Sequence, residues 1–529
     1  MNKKGLILAV FFGTIMLTSL AAGVFLNKTP PKIDDAEDAK ITLTGTPADN
    51  FPDVQRARFC GSADAKSTSF VKEYTIQTVC TNPLAIVTDH DGNVWFAETN
   101  TGKLGKFDPT TESFTEFDNP LWPKKGRSMM WGIDYSPDGV LWFTDESYDS
   151  VWRFSIDDQK YHRIKYPSDG NTLPQKLKVD GSQIVINDFT GNKITFLDPA
   201  QSDDNLRYLS LPSPINGTVT SDFAIDAKNN VWYTNWLYQQ GGGVLVKFDQ
   251  ENYRLSTANT SEPSVMSNYF EIFQLPSKLL TPNGVTISGD NVIWIADTSS
   301  SAIFSFDPTT QQFTQYVTSD PKVSTYGNST GVIKSPISRP YWIETNPAGQ
   351  IIFNEQTSNS IAIMDPKSES LVEYMIPSKN PEWGDCSGVD NCGLAQVFDF
   401  AVNNDKIWFT EWAENNIGVV DTSITLPFGI ELDSKDISLK AGESKNLFFT
   451  ISPLQDLPDV SLILSDPYDF VNATSNVSGS FQLNSNTPKS IDVTISTSDA
   501  SIPGKYKMLL GAQIEDVSIS KFVTVTIEP

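Results

Sequence analysis

The sequence predicts an all-β protein, in which a seven-bladed β-propeller closed by an N-terminal strand is followed by an Ig-like β-sandwich. Three observations lead to this prediction. A short strand pattern recurs along most of the chain, one unmatched strand precedes the first repeat, and the pattern is absent from residues 424–529. Short alternating strands separated by Gly, Pro, Asn and Asp dominate from about residue 70, which argues against a mainly helical fold.

The repeated unit is an apolar, β-branched and aromatic run that ends in a carboxylate or an amide. Its clearest copy is Val-Trp-Phe-Ala-Glu at residues 94–98. The copies end at Glu98, Asp145, Asp188, Asn235, Asp297, Glu355 and Glu411. Three further strands are predicted around each copy, and four-stranded units that return roughly every 40–60 residues are typical of a propeller. The number of copies therefore predicts seven blades.

The last repeat lacks its fourth strand, because the pattern stops near residue 422 after three strands. Residues 70–76 match the fourth-strand pattern of residues 113–117 and 371–376, yet no blade precedes them. One unmatched strand and one vacancy predict that the N-terminal strand completes the last blade. The ring would then have no open sheet edge at its junction.

The chain is predicted to contain four segments, residues 1–26, 27–58, 59–423 and 424–529. The first is long and uncharged enough to cross a bilayer as an anchor, and its small residues near position 20 leave a cleaved signal segment open. The second reads as a polar linker, the third as the propeller and the fourth as an Ig-like spacer or docking module. We expect the protein at the cell surface, anchored in the membrane by its N-terminal helix, or secreted if that segment is cleaved.

The net charge of −25 leaves little to neutralise phosphates, which argues against nucleic acid as a partner. Such acidity suits solubility or the binding of cations. The chain has only two histidines, so it offers few general bases or transition-metal ligands of that type. Four cysteines allow three connectivities, and we expect local closure as Cys60–Cys80 and Cys386–Cys392. A monomer is expected.

In a propeller the start of strand one and the end of strand two lie at the same face. The repeated carboxylates and Asn235 would therefore form a ring around one mouth, with Trp131, Tyr341 and Phe398 as an apolar funnel wall. Carboxylates in such a ring repel one another unless they are solvated, paired or bridged by a cation. Oxygen ligands favour Ca²⁺ or Mg²⁺. The alternative is that the acids cap loop amides or face bulk water.

Trp-Phe-Thr-Glu at residues 408–411, followed by Asn-x-Ile-Gly at residues 415–418, resembles the virginiamycin B (streptogramin) lyase family. The likeness covers about residues 70–422. It implies a seven-bladed propeller whose relatives open cyclic depsipeptide antibiotics by elimination at an ester linkage, assisted by Mg²⁺. The family site uses Glu-Pro-His-Gly at the start of strand one, with a second Glu on the next Trp-Phe-Thr-Glu strand.

This chain departs from the family at that motif. Its nearest equivalent is Thr-Pro-Asn-Gly at residues 281–284, so Thr281 replaces the glutamate and Asn283 replaces the histidine. No copy of the repeat carries a histidine at this position. Because the general base of the family is missing, we do not expect streptogramin lyase activity itself.

Pro-Asn-Gly-Val at residues 282–285 is also similar to the SMP-30/gluconolactonase group. In that group such an Asn joins carboxylates around a divalent ion that polarises a lactone or phosphoester. This chemistry needs no histidine, because a nearby carboxylate can deprotonate a metal-bound water. The group's second metal motif would place an Asp at Ser221, whereas this chain has Asp222 one position later.

Two functions follow as hypotheses. The first is a metal-assisted lyase or hydrolase of a cyclic ester or lactone, with Asn283 and Asp297 as metal ligands. Its additional ligand or base would be Glu355, Asp145 or Glu98. The second is a non-catalytic surface propeller that binds a glycan, a peptide or an envelope partner through its long loops. A purely structural envelope protein is a third option.

Overall fold

The computed structural model describes residues 60–529, with gaps at 62–63, 125, 169, 200–206, 216–218, 238–241, 259–264, 323–324, 326–336, 385 and 467–469. The expected membrane or signal segment and the polar linker up to residue 58 lie outside the described residues. Within the described residues, no helix combines the length and the apolar character needed to cross a membrane.

The first four complete blades follow one another along the chain. Blade 1 contains β2 (Pro83–Thr88), β3 (Val94–Glu98), β4 (Leu104–Asp108) and β5 (Ser113–Phe117). Blade 2 contains β6 (Ile133–Ser136), β7 (Val140–Asp145), β8 (Ser150–Ser155) and β9 (Lys160–Lys165). Blade 3 contains β10 (Pro174–Asp180), β11 (Gln183–Asp188), β12 (Lys193–Asp198) and β13 (Arg207–Pro212). Blade 4 contains β14 (Val219–Ile225), β15 (Asn230–Trp236), β16 (Gly243–Asp249) and β17 (Phe270–Gln274).

The remaining blades complete the ring. Blade 5 contains β18 (Pro282–Ile287), β19 (Ile293–Asp297), β20 (Ala302–Asp307) and β21 (Gln312–Val317). Blade 6 contains β22 (Pro340–Thr345), β23 (Ile351–Glu355), β24 (Ser360–Asp365) and β25 (Ser370–Met375). Blade 7 contains β26 (Val397–Asn403), β27 (Lys406–Glu411), β28 (Asn416–Asp421) and β1 (Val71–Thr75). Among the described residues the helical segments are short: α1 (Gln250–Ala258) and the 3₁₀ turns Met266–Tyr269 and Pro381–Trp383.

The N-terminal strand closes the ring as predicted. β1 runs antiparallel to β28, with Val71 opposite Val420 and Thr75 opposite Asn416. β1 is therefore the outer strand of the last blade, whose inner three strands come from the other end of the propeller sequence. This pairing confirms the seven-bladed, N-terminally closed propeller.

In blades 1 and 4 the repeated tryptophan bonds to the turn between strand one and strand two of its own blade. Trp95 Nε1 donates to Asp89 Oδ2 at 2.8 Å, and Trp232 Nε1 donates to Asp226 Oδ2 at 3.0 Å. Both indoles are buried. The Asp lies six residues before its Trp in both cases. The same sequence spacing therefore produces the same contact between the indole and the turn. The tryptophans thus belong to blade packing, and a buried indole whose N–H is bonded satisfies both its apolar and its polar part.

The C-terminal segment forms a sandwich of two sheets, and one of these continues directly from blade 6. The first sheet contains β29 (Phe428–Leu432), β31 (Ser444–Pro453), β35 (Lys489–Thr497) and β33 (Val471–Ser475). The second contains β30 (Asp436–Leu439), β37 (Val517–Ile527), β36 (Gly504–Gln513), β32 (Leu457–Ser465) and β34 (Phe481–Leu483). β37 pairs antiparallel with β25, with Ser370 opposite Lys521 and Tyr374 opposite Val517. The sandwich therefore shares a sheet with the propeller.

Candidate functional site

The carboxylates at the ends of the strand-two copies are fully buried and bond within their own blades. Glu98 accepts a hydrogen bond from Thr101 Oγ1 at 2.6 Å, in the turn that follows its own strand. Asp145 accepts from Trp152 Nε1 at 3.0 Å, and Asp188 accepts from the backbone N–H of Leu173 at 2.8 Å. Asn235 Nδ2 donates to Thr220 Oγ1 at 2.8 Å. These groups make local hydrogen bonds, but Glu98 Oε1 and Asn235 Oδ1 are buried without a hydrogen-bond partner among the described residues. The common ring stays a prediction.

Three of these glutamates face a second glutamate on the outer strand of the same blade. Glu98 is influenced by the charge of Glu116 on β5, and Glu355 by that of Glu373 on β25. Burial raises the pKa of Glu98 to about 8. Burial, followed by the charge of Glu373, also raises the pKa of Glu355. The neutral acid is the form that suits such a site, because a buried charge without a counter-charge is costly.

Glu411 repeats this arrangement in the blade closed by the N-terminal strand. Its neighbour is Glu73 on β1, and burial together with the charge of Glu73 raises the pKa of Glu411 well above the ordinary value. Glu73 in turn accepts hydrogen bonds from the backbone N–H and Oγ of Ser378, at 2.9 and 2.6 Å. The pair therefore lies between the closing strand and the loop after β25.

The two predicted metal ligands have partners that do not include each other. Asp297 accepts from the backbone N–H groups of Thr281 and Ser299 at 2.8 and 3.2 Å, and from Ser300 Oγ at 2.8 Å. Asn283 Nδ2 donates to Thr298 Oγ1 at 2.7 Å. Both Asp297 oxygens are thus engaged by donors of the same blade. Among the described residues, no cluster of three or more His, Cys, Asp or Glu side chains is arranged to hold a metal ion. The metal-binding role of Asn283 and Asp297 therefore stays a prediction.

The aromatic residues expected to line an open funnel pack against one another instead. Trp131, Tyr341 and Phe398 are each at most 3% exposed. The ring of Phe398 lies 5.6 Å from that of Trp131, 6.2 Å from that of Tyr341 and 5.4 Å from that of Trp412. Trp412 also contacts Trp383 from the loop after β25, at 5.4 Å. We call the packed rings of Trp131, Tyr341, Phe398, Trp412 and Trp383 the aromatic plug; all five are buried, so none of them lines an open funnel.

A second set of charges, of which the sequence analysis considered only Asp222, lies deeper along the propeller axis. It comprises Asp134, Lys176, Lys178, Asp222, Glu344 and Asp399, all on innermost strands or at their bulges. Lys176 Nζ lies 2.6 Å from Asp399 Oδ1, which joins blade 3 to blade 7. Lys176 also lies over the Trp342 ring, 4.9 Å from its centre. The sequence contained a signal for this set, because its charged residues interrupt innermost strands that are otherwise apolar.

Several of these axial charges connect neighbouring blades through backbone N–H groups. Asp399 accepts from the N–H of Ile86 at 3.1 Å, and Asp134 accepts from the N–H of Val179 at 2.7 Å. Burial raises the pKa of Glu344 to about 7, and Lys176 and Lys178 oppose that shift. These contacts connect blade 7 to blade 1, blade 2 to blade 3 and blade 3 to blade 7 around the axis.

Exposure increases along the innermost strands, away from the aromatic plug. Tyr341 and Trp342 at the start of β22 are buried, whereas Glu344 two residues later is half-buried. The same change separates the buried Trp131 from the half-buried Asp134, which follows it at the corresponding position of blade 2. The axis is therefore more accessible from the strand-one-to-strand-two turns than from the predicted mouth.

A cleft of about 500 Å³ lies where blade 6 meets the sandwich. Its propeller side includes Ser358, Glu373 and Lys379, and its sandwich side includes Gln455 and Asp516. Glu373 accepts from the N–H of Ser319 at 3.0 Å and from Ser518 Oγ of the sandwich. The cleft thus lies over a buried carboxyl pair that fastens the two parts together.

Both expected disulfides are present, Cys60–Cys80 and Cys386–Cys392. The first joins the segment before β1 to the segment after it and so fastens the closing strand. The second closes a short loop near the aromatic plug. The local pairing expected from the sequence is therefore confirmed.

Comparison with known proteins finds solved structures that are similar to the propeller. Neither protein-family models nor curated protein sequences give a match. A catalytically inactive virginiamycin B lyase from Staphylococcus aureus with quinupristin is 17% identical, with a TM-score of 0.50, over 68% of this chain and 99% of its own. A streptogramin B lyase structure is 17% identical, with a TM-score of 0.49, over 67% and 99%. Regucalcin, a calcium-binding protein from Agrobacterium tumefaciens, is 14% identical, with a TM-score of 0.36, over 55% and 89%. At these identities the likeness concerns the fold alone: this chain has the β-propeller fold of virginiamycin B lyase.

Proposed function

We propose that this protein is a non-catalytic binding propeller of the cell exterior, in which the sandwich forms part of the recognition surface. The observation that carries the proposal is the aromatic plug. Phe398 and its ring neighbours occupy the mouth where an enzyme of this fold would need room for its substrate. The cleft between blade 6 and the sandwich offers a recess of the size that small ligands use.

An exterior location is supported by the two disulfides, because such bonds persist in oxidising compartments. The shared sheet between β25 and β37 supports a recognition role for the sandwich, since it holds both walls of the cleft in a fixed relation. Glycans, peptides and envelope partners are the ligand classes under this proposal. Attachment through the N-terminal segment is part of the same proposal.

The metal-assisted hydrolysis or elimination of a cyclic ester is the second candidate. It would require Asn283 Oδ1, Asp297 and a further carboxylate to converge on a divalent ion, an arrangement of three acidic or imidazole ligands that the described residues do not display. No contact among the described residues favours the metal-assisted enzyme over the binding role. The enzyme is therefore treated as the alternative outcome of the experiment below.

A paired binding and turnover experiment tests the proposal. The purified full-length protein is screened against a panel of glycans and peptides. The same panel, with added lactones and cyclic esters, is followed for turnover. We expect retention of a ligand class without turnover. Gln455→Trp, at the cleft rim, should reduce retention, whereas Gln482→Trp, on an exposed position of β34, should not. Turnover with Mg²⁺ or Ca²⁺ that is unaffected by Gln455→Trp would overturn the proposal.

A further inference from the structure

The sandwich carries two Asn-x-Ser/Thr sequences at its outer strand β33. Asn-Ala-Thr at residues 472–474 lies within the strand, and Asn-Val-Ser at residues 476–478 follows it. Four further sequences of this kind, which begin at residues 27, 216, 259 and 328, lie outside the described residues. In an exported protein Asn-x-Ser/Thr, with x other than Pro, is the acceptor sequence for N-linked glycans.

The amide and the hydroxyl of the first sequence face solvent together. Side chains two residues apart lie on the same face of a strand, so Asn472 and Thr474 share one face of β33. Both are exposed, whereas Val471 on the opposite face is buried in the sandwich. The backbone carbonyl of Asn472 accepts from Ser496 Oγ at 3.5 Å, but its carboxamide has no hydrogen-bond partner among the described residues. Asn472 Nδ2 is therefore open to modification.

The second sequence is held to the neighbouring strand β35. Asn476 lies beyond the end of β33, and its Oδ1 accepts from the backbone N–H of Asp492 at 3.4 Å. Its own backbone N–H donates to the carbonyl of Asp492 at 3.2 Å. The side chain of Asn476 is thus engaged with β35, whereas that of Asn472 projects into solvent. Of the two asparagines, Asn472 is the better acceptor.

β33 is an open edge of the sandwich. It pairs with β35 on one side, and none of the described strands pairs with its other side. Proteins usually protect such edges with charged residues, proline or bulges, because an unpaired edge invites another strand. Val-Asn-Ala-Thr-Ser at residues 471–475 contains no charge and no proline, and its register with β35 is uninterrupted. This edge lacks those protections, and a bulky, solubilising group on Asn472 would replace them.

We propose that Asn472 carries an N-linked glycan, which covers the open edge of β33. The donor is a lipid-linked saccharide activated by phosphate at C1, and a transferase at the outer membrane face joins the two. Asn472 Nδ2 bonds to C1 as the bond from C1 to the phosphate oxygen breaks. Nδ2 gives one proton to a base of the transferase, and the lipid phosphate leaves with the bonding electron pair.

The glycan leaves the proposed binding cleft free. Asn472 lies on the first sheet of the sandwich, whereas the cleft is lined by residues of β32 and β36 in the second sheet. The inference rests on the exterior location that is part of the proposed function, and it adds a modification that ligand binding does not require.

Peptide mass spectrometry on the full-length protein, produced in its native host, tests the assignment. We expect the peptide that contains Asn472 to carry the added mass of a saccharide chain, with fragment spectra that place it on this residue. Asn472→Gln should lose the added mass. Thr474→Ala, which keeps the amide but removes the hydroxyl, should lose it as well. Thr474→Ser is the matched control, because it keeps a hydroxyl at the same position and should retain the glycan.

Sedimentation of the same proteins tests the covering role. Wild type and Thr474→Ser should stay monomeric, whereas Asn472→Gln and Thr474→Ala should associate as their concentration rises. Loss of the glycan without any change in association would overturn the covering role.

An exported protein that retains its ligand but has an unmodified Asn472 would overturn this inference and leave the proposed function intact. A glycan on Asn476 with Asn472 unmodified would also overturn it. An unmodified protein found inside the cell would contradict both this inference and the exterior location in the proposed function.

Discussion

Lys176 on β10 and Asp399 on β26 form an ion pair across the propeller axis, with Nζ 2.6 Å from Oδ1 and side-chain exposures of 14% and 2%. Although burial disfavours the charged lysine, the carboxylates of Asp399, Asp222 and Glu344 raise the pKa of Lys176. Asp399 also accepts the backbone N–H of Ile86. One carboxylate thus links blade 3, blade 7 and blade 1.

Lys176→Met should destabilise the propeller by roughly 3–5 kcal/mol, because it leaves Asp399 buried without its counter-charge. Tryptophan fluorescence during chemical denaturation measures this, since residues 424–529 contain no tryptophan. Burial already raises the pKa of Asp399, so the loss should shrink at low pH, where the acid becomes neutral. Lys176→Met/Asp399→Asn should recover much of the stability. A double variant as unstable as the single one would contradict this account.

Glu98 predicts a pH dependence of stability. Its folded pKa of about 8 lies above its ordinary value of 4.5. Its contribution is therefore fully present below pH 4.5 and is lost as the pH rises through about 8. The midpoint of thermal unfolding should fall between pH 5 and pH 8, and Glu98→Gln should make that fall smaller. Glu431→Gln, at an exposed position, serves as the control and should leave the slope unchanged. An identical slope in Glu98→Gln would refute the assignment.

The disulfide Cys60–Cys80 should matter more for stability than Cys386–Cys392, because it closes the longer loop and fastens β1. The sequence separations are 20 and 6 residues. Chain-entropy reasoning gives about 3 kcal/mol for the first and about 2 kcal/mol for the second. Paired Cys→Ser variants compared by chemical denaturation measure the difference. A larger loss from Cys386→Ser/Cys392→Ser would show that loop closure does not govern these bonds.

The shared sheet predicts that the sandwich protects the outer edge of blade 6. In a chain that ends at residue 423, amides of β25 that donate to β37 should exchange with solvent much faster than in the full protein. β5, the outer strand of blade 1, is the internal control and should be unchanged. Hydrogen exchange read by mass spectrometry gives both strands at once. Equal protection of β25 with and without the sandwich would mean that the β25–β37 pairing is not maintained in solution.

Much of the fold could be predicted because its repeat is local. The Trp95 and Trp232 strands share a spacing to a turn aspartate, and β1 matches a strand that blade 7 lacks. The sheet shared by β25 and β37 could not be predicted. An alternating strand pattern indicates a β-strand but does not specify which partner strand it pairs with. Pairing across almost 150 residues depends on three-dimensional proximity.

The candidate site was harder to predict, because sequence position gives the face of a blade but not the direction of a side chain. Glu98, Asp145 and Asp188 occur at the end of strand two as expected, yet their carboxylates bond within their own blades. Phe398 occurs at the start of strand one as expected, yet it packs with other rings. Ser358 and Lys379 of the cleft lie in loops, outside the strands of the repeat.

The most direct test of the central claim is calorimetry with Mg²⁺ and Ca²⁺ on wild type, Asp297→Asn and Asn283→Ala. The claim is that this propeller binds through its sandwich-side cleft and holds no catalytic ion at the plugged mouth. Because Asp297 already accepts three hydrogen bonds within its blade, we predict no stoichiometric ion binding that depends on either residue. One-to-one binding in wild type that both variants lose would contradict the account and restore the metal-assisted enzyme.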